Sequence, residues 1–356
     1  MVCTQPIFSV AAGSAAAARR VISSFTRSTV LLCILSSVVG VKQRMVGSSG
    51  LRVSRLGLGT STWGSGTELA EAGDIFKAFI NSGGTLIDVS PNYTTGVAEE
   101  MLGTMLNAEV SRSSVVISSS AGVNPALPLG RRVDCSRRNL IAQLDVTLKA
   151  LKTDYLDLWS VGYWDEGTPP HEVADTLDYA VRTGRVRYAG VRGYSGWQLA
   201  VTHAASNHAA ASARPVVVAQ NEYSLLERRA EQELLPATQH LGVGFFAGAP
   251  LGQGVLTAKY RSEIPHDSRA ASTGRDAEVQ SYLDNRGRII VDALDTAAKG
   301  LGISPAVTAT TWVRDRPGVT AVIVGARTHE QLSHLLKAES VTLPTPITQA
   351  LDDVSL

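Results

Sequence analysis

The chain has 356 residues, 44% of them hydrophobic and 18% charged, with a formal net charge of +1. Those are globular values, and the near-neutral balance excludes a nucleic-acid groove or a polyanionic partner. Three scattered cysteines, Cys3, Cys33 and Cys135, exclude a disulfide framework and a structural metal site and indicate a reducing, cytoplasmic compartment.

Residues 1–44 read as an N-terminal extension. They hold no Asp or Glu, and the first acidic residue of the chain is Glu68. Arg19, Arg20 and Arg27 precede the apolar run VLLCILSSVVGV (30–41). That run is shorter than the ~20 apolar residues a bilayer needs, so no stable membrane span is expected. Two readings fit the composition: a transit or export peptide, or a start set upstream of the working one near Val41 or Met45. The second is preferred, because domain-like sequence begins there.

From residue 51 onward, short runs rich in Val, Ile and Leu alternate with amphipathic stretches at helical spacing. Strands are predicted at RLGLGTS (55–61), TLIDVS (85–90), SVVISSS (114–120), YLDLWSVG (155–162), RVRYAGVRG (185–193), PVVVAQNEY (215–223), GVGFFAGAP (242–250) and GVTAVIVGA (318–326). Helix candidates such as LAEAGDIFKAFINSG, VAEEMLGTMLNAE and PHEVADTLDYAVRTG lie between them, several ending in a C-capping glycine. Eight such units predict an α/β fold, a single-domain (β/α)8 TIM barrel over residues 45–345, with 346–356 as a C-terminal tail. A doubly wound sheet would place a G-x-G-x-x-G turn after its first strand; this chain has TSTWGSGTE there. The polar stretch 260–285 then reads as a long loop after the seventh strand, on the face where barrels carry their chemistry.

Several segments together resemble the aldo-keto reductase family across residues 41–340. SSGLRVSRLGLGT is similar to the family's opening hairpin and first strand, and GGTLIDVSPNYTTGVAEEMLG (83–103) to its signature around a catalytic Asp and Tyr. VRYAGVRGYSGWQLA, QNEYSLLER, APLGQGVLTAKY and VIVGARTHEQL follow in the family's order and spacing. The resemblance implies a barrel that binds NADP(H) without a Rossmann domain and reduces a small-molecule aldehyde or ketone. It also implies a tetrad of Tyr as proton donor, a Lys paired with an Asp that lowers the Tyr pKa, and a carbonyl-orienting His.

Asp88 matches the aspartate and Tyr93 the tyrosine. The lysine position falls on Ser119 or Ser120, and the histidine position on Gly162. Of the remaining lysines and histidines, only Lys259 and His266, in the seventh loop, could swing toward the mouth. Where the family holds the nicotinamide carboxamide with Ser-Asn, this chain has Arg192-Gly193, and Gly248 replaces the aromatic that stacks on the ring. Gln220 remains as a carboxamide ligand. At the adenosine end, Pro250, Leu251, Gly252 and Gln253 match the loop over the pyrophosphate. Gly325 leads to a helix start offering backbone N–H groups to a phosphate. Arg327 matches the 2′-phosphate partner and Gln331 an adenine contact, whereas a family Asn is Leu335.

Each of these residues has a plainer reading. Asp88 could be a cap, Tyr93 a rim aromatic and Arg327 a solvated helix-start arginine. Arg192 could pair with Asp88 as the lysine would, plug the nicotinamide site, or form a surface ion pair. Trp63, Trp159, Tyr163 and Trp164 form either an apolar substrate pocket or barrel-top packing. Two functions follow: an NADPH-dependent reductase of weak or altered activity with Tyr93 as acid, or a non-catalytic barrel that binds NADP(H), another ligand or a partner.

Overall fold

The computed structural model describes residues 40–356 apart from 107, 125, 126, 209–215, 267 and 272–275. Most of the expected N-terminal extension therefore lies outside the described residues. The part that is described belongs to the domain. Val41 N–H donates to the Ser82 carbonyl at 2.7 Å, and Arg44 Nη1 donates to the carbonyls of Arg314 and Val319, each at 2.8 Å.

Strands β1 (Gln43–Met45) and β2 (Arg52–Ser54) form an antiparallel hairpin across the N-terminal end of the barrel. Eight parallel strands then close on themselves: β3 (Leu56–Gly59), β4 (Leu86–Asp88), β5 (Val116–Ala121), β6 (Leu156–Gly162), β7 (Val186–Arg192), β8 (Val218–Glu222), β9 (Gly244–Gly248) and β10 (Val319–Gly325). β10 pairs with β3, so the sheet has no free edge.

The strands read as nearly unbroken apolar runs because both of their faces are buried. Alternate residues divide between two cores. Leu86, Leu158, Val218, Phe246 and Ile323 fill the lumen, which the hairpin plugs with Val46 and Val53. Ile87, Ile117, Trp159, Val161, Val191, Phe245 and Val324 face outward against the helices.

The helices are α1 (Leu69–Asn81), α2 (Val97–Met105), α3 (Arg137–Ala150), α4 (Pro170–Arg182), α5 (Gly196–His208), α6 (Leu234–Leu241), α7 (Asp276–Gln280), α8 (Asn285–Leu301), α9 (Pro305–Arg314), α10 (His329–Leu336) and α11 (Thr345–Ser355). Several are bounded as their sequences dictate. Ser136, Asp284, Ser304 and Thr328 cap α3, α8, α9 and α10 through side-chain oxygens, and Gly302 ends α8 with φ +68°.

Helix α11 corrects the expected tail at 346–356. Pro346 sits in its first turn, and Ile347, Ala350 and Leu351 are buried. Asp352 accepts from Trp312 Nε1 at 2.9 Å and pairs with Arg316 at 2.8 Å. Residues 346–356 thus pack as part of the barrel domain. Among the described residues, no helix is long and apolar enough to cross a membrane.

Candidate active site

The C-terminal strand ends bring together four side chains from distant parts of the chain. Asp88 ends β4 and is almost fully buried. Tyr93 reaches back from the short helical turn that follows, and its hydroxyl donates to Asp88 Oδ2 at 2.8 Å. Arg192 ends β7, and its Nη2 donates to the Tyr93 hydroxyl at 2.6 Å and lies 3.7 Å from Asp88 Oδ2. Gln220 Nε2 donates to Asp88 Oδ1 at 3.0 Å from the neighbouring strand. Strand register sets this grouping, since Arg192 lies opposite Gln220 on one side and Gly162 on the other. Arg192 therefore pairs with Asp88 rather than forming a surface ion pair with a loop carboxylate. It forms the contacts with Asp88 and the phenol that the resemblance gives to a lysine.

The electrostatics follow from burial and these contacts. Burial raises the Tyr93 pKa above that of an ordinary phenol; the Arg192 charge opposes this, and Asp88 adds to it. Burial also works against the Arg192 charge, but Tyr93 and Asp88 outweigh it and hold the guanidinium protonated.

The two serine candidates separate by strand parity. Ser120 faces inward, 3.1 Å from the Ser90 hydroxyl. Ser119 faces the helices, where its hydroxyl donates to Glu99 Oε1 at 3.1 Å beside Thr147 at 3.0 Å. Ser119 is thus corrected out of the site, because alternation on β5 turns it away from the lumen. Glu99 is a buried carboxylate that the sequence reading passed over. Burial pushes it up to about 7, against the two hydroxyl donors.

At Gly162, an added Cβ would lie 3.1 Å from Arg192 Cβ and 3.3 Å from its carbonyl oxygen. The peptide linking Gly162 to Tyr163 is cis. The Tyr163 ring covers Gly193, where a Cβ would meet Cδ1 at 2.0 Å. Half of Tyr163 remains exposed. Trp63 and Trp159 are fully buried, so they are packing residues rather than pocket walls. Trp164 packs edge-on against Tyr194 and Trp197, with centroids 5.6 and 5.0 Å away, and Trp197 is half exposed at the rim.

The sequence profile of the aldo/keto reductase family matches residues 55–355. The chain belongs to this family. It is 30% identical over 318 residues to an uncharacterized oxidoreductase of Bacillus subtilis, covering 87% of this chain and 94% of that protein. It is 32% identical over 308 residues to the L-glyceraldehyde 3-phosphate reductase of Escherichia coli (84% and 87%). It is 31% identical over 312 residues to a probable voltage-gated potassium channel subunit beta of Oryza sativa (86% and 94%).

The remaining family positions lie along a path from this cluster to β10. Gly248 leaves bare backbone beside Asn221, and Glu222, opposite it in register, has a buried Oε1 with no hydrogen bond among the described residues. Burial raises the Glu222 pKa, with a Tyr282 hydrogen bond opposing and Glu227 reinforcing it. Glu222 stands two residues beyond Gln220 on β8, and that shared strand parity is its signal in the sequence. After Pro250 and Leu251, the chain turns through left-handed backbone at Gly252, Gln253 and Gly254. Gln253 Oε1 accepts from Arg269, and Lys259 Nζ comes within 3.5 Å of where a Gly254 Cβ would stand. Two cations, Arg269 and Lys259, thus stand at this turn.

At β10, Gly325 is exposed, and a Cβ there would meet only the Gly59 carbonyl oxygen, at 3.9 Å. Three N–H groups at the next helix start, where donors to a phosphate are expected, already have partners within the chain. Arg327 N–H donates to Gln331 Oε1 at 3.0 Å, Gln331 N–H to Thr328 Oγ1 at 3.2 Å, and His329 N–H to Glu71 Oε1 at 2.5 Å. Orphan helix-start donors find partners within the chain itself.

A nicotinamide dinucleotide fits this path at its phosphate end. The open backbone at Gly325 and the left-handed turn at 252–254 with Lys259 beside it suit an anionic chain. At the nicotinamide end, Gln220 is committed to Asp88 and Tyr163 covers Gly193, so the family's carboxamide pair has no direct counterpart.

Proposed function

We propose that this protein is an NADP(H)-dependent reductase of small aldehydes or ketones, with Tyr93 as the proton donor. One observation carries the reading: the Tyr93 hydroxyl is bonded to a guanidinium that is itself paired with Asp88. A phenol in contact with a permanent cation yields its proton more readily, since the charge stabilises the phenolate left behind. Asp88 holds Arg192 in place, and Gln220 holds Asp88. Arg327, Gln331, Lys259 and the 250–253 turn are the candidates to bind the cofactor, which supplies a hydride when bound.

With substrate present, the Tyr93 proton must leave Asp88 Oδ2 for the carbonyl oxygen. Arg192 stays with the phenol throughout and takes up the developing charge. Burial keeps Tyr93 protonated across neutral pH, which suits reduction, where the acid form is required.

A second reading, a non-catalytic barrel that binds NADP(H) or a partner, draws on the Tyr163 ring over Gly193 and the missing aromatic at Gly248. Fluorescence titration of the full-length protein with NADPH, followed by turnover on aldehydes, ketones and quinones, separates the two. Turnover that disappears in Tyr93→Phe supports the reductase. Tight binding with no turnover supports the second reading, and absence of NADPH binding removes both cofactor-dependent readings.

A further inference from the structure

Resting on the reductase reading, the mouth poses a narrower question: what orients the carbonyl oxygen in a site whose histidine position is a glycine? Arg192 has more donors than the cluster uses. Nη2 serves Tyr93 and Asp88, while Nε and Nη1 have no hydrogen-bond acceptor among the described residues. The side chain keeps 22% exposure, so those donors border the opening rather than the packed core. A guanidinium is a rigid planar fork, with neighbouring N–H groups set to hold two oxygens side by side. One of those oxygens is already fixed, since the phenol oxygen lies 2.6 Å from Nη2. An oxygen that receives the Tyr93 proton must stand roughly 2.6–3.2 Å from the same phenol, within reach of the fork's other donors.

Gly162 completes the argument. It lies opposite Arg192 in register, and a Cβ there would press on Arg192 Cβ at 3.1 Å and on its carbonyl oxygen at 3.3 Å. A side chain at residue 162 would crowd residue 192, which would have to give by a few tenths of an ångström. The two departures from the family pattern thus sit side by side, glycine on β6 facing arginine on β7.

We propose that Arg192 is a catalytic residue with two tasks, holding the Tyr93 phenol through Nη2 and the substrate's carbonyl oxygen through its remaining N–H groups, in space that Gly162 leaves open. Hydride addition at the carbonyl carbon moves the C=O π pair onto oxygen, and that pair takes the Tyr93 proton. The phenolate is left against Arg192 and regains a proton from solvent. The groups facing Tyr93 are Arg192 and Asp88, and those facing Arg192 are Tyr93, Asp88 and Tyr163. None is an imidazole, so the rate profile of the wild type carries no inflection near the ~6.5 of a histidine.

The test uses full-length protein with NADPH and two probes, nitrobenzaldehyde and phenanthrenequinone. Arg192→Lys keeps a cation for Tyr93 but has no fork, and its kcat is expected to fall about 10²-fold with unchanged NADPH affinity. Arg192→Met is expected to fall further and to recover in part with added guanidinium chloride, which a purely structural role would not allow. Gly162→Ala is expected to lower kcat several-fold by displacing Arg192. An Arg192→Lys variant as fast as wild type, or a Gly162→Ala variant with unchanged kcat, overturns the carbonyl contact while leaving the reductase standing. No turnover by the wild type with either probe sinks the reductase reading and the carbonyl contact with it.

Discussion

The two sides of the barrel mouth have opposite character. On the β5–β6 side, where relatives are expected to keep a lysine and a histidine, Ser120 meets only Ser90, and Gly162 has no side chain. On the β4–β7 side, Asp88, Tyr93 and Arg192 form a closed set of charge-assisted contacts, with Gln220 bracing Asp88 from β8. In a barrel the strand ends converge, so a cation two strands away from the lysine position reaches the same phenol. Under the proposed mechanism, what a position-by-position reading counts as two losses is a relocation of the charge.

The largest test of this contrast removes the acid itself. Tyr93→Phe should lower turnover by about 10³-fold while NADPH binding is kept, as measured by steady-state kinetics beside fluorescence titration. Equal turnover would place the chemistry elsewhere.

Next comes the side that looks empty. Glu99 lies behind Ser119, with its folded pKa raised from 4.5 to about 7. The native state therefore favours the neutral carboxyl. Its contribution is fully present below pH ~4.5 and is lost as pH rises through about 7, to the extent of about 3 kcal/mol. Urea unfolding of wild type across that window should show the decline, and Glu99→Gln should flatten it. Identical profiles would mean that Glu99 is ionised and better solvated than its burial indicates.

On the charged side, Asp88→Asn strands Arg192 without its counter-charge. The expected cost is about 2 kcal/mol of stability, less than the ~3–5 typical of fully buried pairs because Arg192 keeps 22% exposure. Chemical denaturation should read that loss together with a fall in turnover. The smallest effect lies in the turn that carries Tyr93. Thr94 and Thr95 have φ of +49° and +53°, a region that β-branched residues avoid. Thr95 is exposed, and Thr95→Asn should stabilise the fold by about 0.5 kcal/mol, seen as a higher midpoint with activity kept.

The barrel was legible because each strand is a short apolar run and most of the intervening helices carry a polar face and a terminal signal. Asp88 and Tyr93 were legible because they lie only five positions apart, so the motif is local. Arg192 was visible as a substitution, but its target was not: it reaches a phenol 99 positions away, and only barrel closure brings the two together. The choice between Ser119 and Ser120 turned on strand parity, which apolar residues on both faces of β5 conceal. Helix α11 was hidden by a short, polar sequence, although Pro346 and the spacing of Ile347, Ala350 and Leu351 carried its signal. The donors of α10 looked free because their partners include Glu71, from the opposite end of the chain.

Single-turnover oxidation of bound NADPH, followed by stopped flow with phenanthrenequinone, compares wild type and Arg192→Met most directly. The relocated cation predicts a chemical step slowed by about 10²–10⁴-fold with NADPH affinity unchanged. Equal rates in the two proteins would contradict it.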